Sequence, residues 1–148
     1  MNKFMDLALE EAKAAATRGE VPVGALLVDG KTGEILARAG NRTEKESDPT
    51  AHAEMLVIRE AAAKKGQTRL AGCDLYVTLE PCPMCATAIS FARIRRLYFG
   101  AYDPKGGGVE HGPKFFGHAT CHHQPEVVGG VNERDASMLL KSFFMDRR

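Results

Sequence analysis

The chain has 148 residues, 44% hydrophobic and 26% charged, with a formal net charge of +1. These values fit one ordinary globular domain spanning 1–148, long enough to fold without staples. The near-zero charge argues against an obligatory polyanion binder on charge alone, although a local basic patch needs only a few well-placed Lys and Arg.

Residues 2–18 set Phe4, Leu7, Ala8, Glu11 and Ala12 at helical spacing, and Gly19 stops the pattern. The acidic Asp6, Glu10 and Glu11 within it would not suit a secretory signal. No apolar run approaches the roughly 20 residues of a membrane helix. A cytoplasmic protein with no membrane partner is expected. Val23–Val28 and Ile35–Ala39 are short apolar runs joined by Asp29-Gly30-Lys31-Thr32-Gly33, which reads as a hairpin turn. After the polar loop 41–49, Thr50 is placed to cap a helix over 51–65 that ends before Gly66.

Leu75–Leu79 reads as a buried strand, and Pro81 and Pro83 mark the turn after it. A helix over 84–92 and a strand over 94–101 follow, so 75–101 forms a β-α-β unit with parallel strands. Residues 102–125 are rich in Gly, Pro and His and are assigned no element. A strand at 126–128 and a helix over 133–145 close the chain. The expected architecture is α/β, a mixed sheet with helices on its faces.

The chemistry concentrates in His52-Ala53-Glu54 and Pro81-Cys82-Pro83-Met84-Cys85. One His and two Cys make three protein ligands, one short of the closed tetrahedron of a structural zinc site. Thiolate and imidazole donors favour Zn²⁺ among divalent ions. Cys82 and Cys85 lie near the start of a helix, where the dipole favours thiolates and a three-residue offset aligns the sulfurs. His52 completes the triangle if its helix begins beside theirs. Two thiolates cancel the metal charge, so water there is acidified less than at an all-histidine site. Glu54 compensates by accepting a proton and passing it on. His-x-Glu followed by Pro-Cys-x-x-Cys is the signature of zinc nucleobase deaminases. The bland alternative leaves Glu54 as a helix-surface carboxylate. Elsewhere, Cys73 reads as a core thiol, His111 and His118 as surface or turn residues, and the Met and Phe of the last helix as core packing. The adjacent residues Cys121-His122-His123 seldom converge on one ion.

Further stretches extend the pattern over nearly the whole chain. They are Glu20 to Ala25, Asn41-Arg42, Asp48 to Glu54, Leu75 to Cys82, Tyr98 to Ala101 with Asp103 and Lys105, and Ser142-Phe143-Phe144. With these the sequence resembles the bacterial tRNA-specific adenosine deaminases, of the cytidine-deaminase-like superfamily. The resemblance implies a three-layer α/β/α fold with a five-stranded mixed sheet, one Zn²⁺ per subunit and a homodimer. It implies hydrolytic conversion of adenosine to inosine at the wobble position of a tRNA anticodon stem-loop. By the family pattern Asn41 contacts the purine, Asp103 and Lys105 contact RNA around the flipped nucleotide, and Phe143 and Phe144 shape the groove for its neighbours. Arg93, Arg95 and Arg96, Lys64-Lys65 and Arg147-Arg148 are candidate phosphate contacts. Three alternatives stand beside this reading. One is a deaminase of guanine or another free base or nucleoside, which Pro83 between the cysteines also suits. The others are a non-catalytic zinc-stabilised RNA-binding protein and a thiol oxidoreductase.

Overall fold

The apolar runs and helix-spaced segments take up their expected order in a computed structural model that describes residues 2–147. Helix α1 is Lys3–Thr17, followed by strands β1 (Gly24–Asp29) and β2 (Ile35–Gly40) and helix α2 (Ala53–Lys65). Then come β3 (Cys73–Leu79), α3 (Pro83–Phe91), β4 (Arg96–Ala101), β5 (Glu126–Val128) and α4 (Glu133–Met145). The sheet has five strands in the order β2-β1-β3-β4-β5. β1 pairs antiparallel with both β2 and β3, while β3–β4 and β4–β5 are parallel.

That arrangement places the site. β2 and β3 both oppose β1, so they run the same way, and the connections through α2 and α3 are both parallel crossovers. Both helices lie on one face and begin at the same edge of the sheet. Strand alternation sends Leu75 and Val77 into this layer with Val57, Ile89 and Phe99, all fully buried. Truncating Phe99 to Ala would cost about 3–5 kcal/mol. The opposite face packs Leu26, Val28 and Tyr76 against Met5 and Ala8 of α1, and Ala101 against Ala136 of α4. The result is three layers, α/β/α. α1 sits so close to the hairpin that a Cβ on Gly24 would stand 2.0 Å from the Ala8 carbonyl oxygen, and one on Gly40 2.6 Å from that of Glu11.

Three local expectations differ. Thr50 does not cap α2, because its N–H and hydroxyl are held by the Asp48 carboxylate at 2.8 and 2.7 Å. The helix starts later, with His52 in the cap position. β4 begins at Arg96, two residues past Ile94, because the chain turns sharply at Arg93 (φ 60°) to leave α3. Residues 102–125 contain one 3₁₀ turn, Phe115–Gly117, and are otherwise irregular but heavily hydrogen-bonded. Among the described residues no helix is long and apolar enough to cross a membrane.

Candidate active site and metal centre

His52 and Cys82 occupy equivalent places, each the last extended residue before a helix, with φ/ψ of −74°/150° and −71°/172°. Neither side chain caps its own helix. Freed from that task, both turn toward Cys85 in the first turn of α3. His52 Nδ1 lies 3.7 Å from Cys82 Sγ and 3.5 Å from Cys85 Sγ. All three ligand atoms fall within 4.8 Å of one another. A tetrahedral zinc with Zn–S near 2.3 Å and Zn–N near 2.0 Å separates sulfur from nitrogen by about 3.5 Å. The donor set therefore fits the ion in both type and spacing, with one position left over. Among the described residues no other group of three His, Cys, Asp or Glu meets this test. Cys121 instead faces Ser90 Oγ and the His123 carbonyl, and His123 Nε2 binds the Ile94 carbonyl.

The three groups share protons. The Cys85 thiol and the His52 ring hold Cys82 down to about 4 against the opposing effect of burial. The same Cys82 contact, with burial, drives Cys85 upward. His52 is raised, first by its bond to Cys82 and further by the charge of Glu54. Such a set calls for a cation to ionise both sulfurs.

Glu54 lies in the first turn of α2 and is only 4% exposed. Burial pushes its carboxyl up to about 7, offset in part by its own backbone N–H and by His52. A carboxyl poised near neutrality can both take and give a proton.

A cavity of about 290 Å³ opens beside these residues, lined by Val21, Val23, Asn41, Thr43, Leu79 and Asp103 among others. That lies near the lower limit of roughly 300 Å³ for small-molecule sites. A larger groove between α1 and α4, about 460 Å³, contains none of the metal cluster. Asn41 stands in for the missing cap of α2: its Oδ1 accepts from Ala53 N at 2.8 Å, and its Nδ2 donates to the Val21 carbonyl. One N–H and one lone pair of the amide remain for a ligand. Two buried carboxylates hold the walls. Glu20 accepts from Thr43 Oγ1 and from the N–H groups of Glu44 and Lys45. Glu80 does the same for Asp103 and for residues 109–111.

The remaining expected residues divide. Asp103 lines the cavity, although its Oδ1 already accepts from Lys105 N and Gly106 N. Lys105 is exposed and, with Tyr102, Leu140 and Phe144, lines a shallow apolar extension of the cavity. Phe143 is not brought there. It is buried toward α1, with the Arg147 guanidinium 3.6 Å above its ring. Arg95 and Arg96 lie at the start of β4, roughly 17 Å of strand from the edge that bears the site. They pair with Asp74 and Glu126. Lys64 sits at the far end of α2 and binds the Leu36 carbonyl, and Arg148 lies outside the described residues. His111 is no simple surface residue, since its Nδ1 meets Glu80 at 2.8 Å. Glu20 and Glu80 escaped sequence reasoning. Their signal was an acid directly against an apolar stretch, Glu20 before Val21 and Glu80 after Leu79.

Comparison with known proteins agrees with this geometry. Residues 1–101 match the cytidine and deoxycytidylate deaminase zinc-binding region. The tRNA-specific adenosine deaminase of Agrobacterium fabrum is 59% identical over 145 residues, covering 98% of this chain and 94% of that protein. A solved tRNA:A34 deaminase, studied for A-to-I editing at the wobble position of transfer RNA, superposes with a TM-score of 0.90 at 60% identity. The match covers 93% of this chain and 98% of that one. The guanine deaminase of Bacillus subtilis superposes less fully, with a TM-score of 0.64 and 38% identity over 69% of this chain and 66% of its own. The chain belongs to the tRNA-specific adenosine deaminases and carries the deaminase zinc-binding region within its first 101 residues.

Proposed function

We propose that this protein hydrolyses the 6-amino group of a wobble adenosine in a tRNA anticodon, giving inosine and ammonia, with His52, Cys82 and Cys85 holding one Zn²⁺. The observation that carries the reading is a cavity with Glu54 beside the ligand triangle, opening onto a shelf that bears Tyr102, Lys105 and Phe144. A free base would need the cavity alone. A flipped nucleotide with attached neighbours needs the shelf as well.

When bound, the zinc supplies a Lewis acid that makes a water a competent nucleophile at neutral pH. Glu54 takes a proton from the attacking water and delivers it to the purine ring nitrogen N1. It then relays a second proton to the departing amine, so water and adenosine are consumed and inosine and ammonia released. Val21, Val23 and Leu79 supply apolar walls for the base, and Asn41 offers its spare amide N–H and lone pair to the base edge. Lys105 is free to meet a phosphate, and Phe144 offers a ring face to a neighbouring base. The same reading carries a homodimer, which rests on the family resemblance, and a cytoplasmic location, which suits an enzyme acting on tRNA.

The test supplies an anticodon stem-loop with a wobble adenosine and, separately, guanine, adenosine and cytidine, and reads product nucleosides and ammonia. Inosine from the stem-loop alone is expected. Xanthine from guanine with an untouched stem-loop would overturn the RNA substrate and leave the zinc chemistry in place.

A further inference from the structure

Glu80 follows β3 directly and lies two residues before Cys82. Its side chain is fully buried, yet it accepts five N–H groups. Oε1 takes Asp103 N at 3.0 Å and His111 Nδ1 at 2.8 Å. Oε2 takes the backbone N–H groups of Val109, Glu110 and His111 at 3.2, 2.9 and 3.1 Å. The loop is gathered around this one carboxylate. Gly107 passes so close that a Cβ there would stand 2.4 Å from Oε2 and 2.6 Å from the Asp103 carbonyl oxygen. Gly108 N donates to the Pro81 carbonyl at 2.8 Å, next to the first cysteine.

We infer that Glu80 is a positioning residue, which sets the loop 103–111, with Asp103 and Lys105, at a fixed place against the Cys82 turn. It acts through the loop and not on the reacting atoms, because both its oxygens are already engaged by protein donors. The inference rests on the reading that this loop meets the RNA. A Glu80→Gln side chain keeps the shape but turns one acceptor oxygen into a donor. Two or three loop N–H groups then face an amide that cannot accept them. A displaced loop then weakens the hold of Asp103 and Lys105 on the RNA while Glu54 and the metal ligands keep their places.

The experiment compares wild type, Glu80→Gln and Gly107→Ala for zinc content, amide exchange and stem-loop kinetics. It repeats Glu80→Gln in an Asp103→Asn/Lys105→Ala background. The expected result is about one zinc per chain, with exchange at 103 and 109–111 accelerated tenfold or more and β1 and β3 unchanged. KM should rise about tenfold or more with kcat within about threefold. The penalty should shrink to less than about threefold in the double-substituted background. Gly107→Ala should reproduce the pattern, which keeps the inference testable if Glu80→Gln folds poorly. Unchanged loop exchange, accelerated exchange throughout the chain, or an undiminished penalty in the double-substituted background would overturn it. A wild type that ignores the stem-loop would sink the RNA reading instead, and the exchange measurement would still decide the role of Glu80.

Discussion

Two regions border the same cavity with buried carboxylates, and they treat them in opposite ways. At the ends of the flanking loops, Glu20 and Glu80 are ringed by N–H donors and held below the ordinary carboxylate value despite burial. At the start of α2, Glu54 exposes as little surface but lies deeper in the fold with fewer donors, and burial pushes it up to about 7. Low exposure alone therefore does not decide whether a group serves structure or chemistry. Depth in the fold and the partners supplied or withheld decide it together. A carboxylate answered by N–H groups stays charged and fastens a loop, whereas one left largely unanswered can take and return a proton.

Glu54 is useful only beside the metal ligands, so the largest effect is expected from a substitution among them. Cys85→Ala removes one of the three donors of the single such cluster found among the described residues. Metal analysis after dialysis should find far less than one zinc per chain, with deamination abolished. Stoichiometric zinc in that variant would refute the ligand assignment. Glu54→Gln comes next. Turnover should fall about 1,000-fold or more, within the range of general acid–base catalysis, while zinc content stays near one per chain. Its thermal stability should change little, because few N–H groups lose a partner. If Glu54→Gln melted as early as Glu20→Gln while retaining turnover, the distinction between the two regions would collapse.

Glu20→Gln sharpens the contrast from the other side. It turns one acceptor oxygen into a donor, so that either the Lys45 N–H or the Glu44 N–H loses its acceptor, which should cost about 1–3 kcal/mol of unfolding free energy. Burial opposes the shift, but the Lys45, Glu44 and Thr43 donors and the Arg18 charge prevail, so the folded value lies below 4.5. The contribution of a group depressed in this way is fully present above about pH 4.5. It is lost as pH falls through the lower folded value. Denaturant unfolding at several pH values should show the wild-type advantage over Glu20→Gln intact near neutrality and narrowing below about pH 4.5. An advantage that persists undiminished at lower pH would show that Glu20 acts through packing and not through its charge.

These assignments also mark how far the sequence could be read. The metal triangle and Glu54 were legible because each lies in a short contiguous motif opening a helix, and the β-α-β order of residues 75–101 brings the two openings together. The α/β class and the mixed sheet followed from apolar runs of strand length. What stayed hidden depends on partners distant in the chain. Asn41 caps α2 from twelve residues away because His52, in the cap position, is turned to the cysteines. Glu80 gathers a loop that begins 23 residues later, so nothing near it signals a hub. Thr50 looked like a cap until Asp48 claimed both its polar groups. Phe143 and Phe144 are neighbours in sequence but about 100° apart on a helix, so only one faces the site.

The same rule of answered and unanswered charge applies to the cations, where the expected effects are smallest. Arg95 and Arg96 form the densest basic run in the chain with Arg93, yet Asp74 engages Arg95 at 2.7 and 2.9 Å and Glu126 engages Arg96 at 2.9 Å. Lys105 has no such acid partner among the described residues and stands on the cavity extension. Each phosphate contact contributes a unit step to the salt dependence of RNA binding, a slope near −0.7 per contact for single strands. Lys105→Ala should therefore weaken stem-loop binding several-fold and flatten the slope of log K against log salt by about 0.7. Arg96→Ala should leave both within experimental scatter, about twofold in affinity, because its charge is spent on Glu126 at the far end of β4. Binding isotherms at three salt concentrations separate the two. Equal losses from Arg96→Ala and Lys105→Ala would mean that RNA reaches the opposite end of the sheet and that paired cations still bind it.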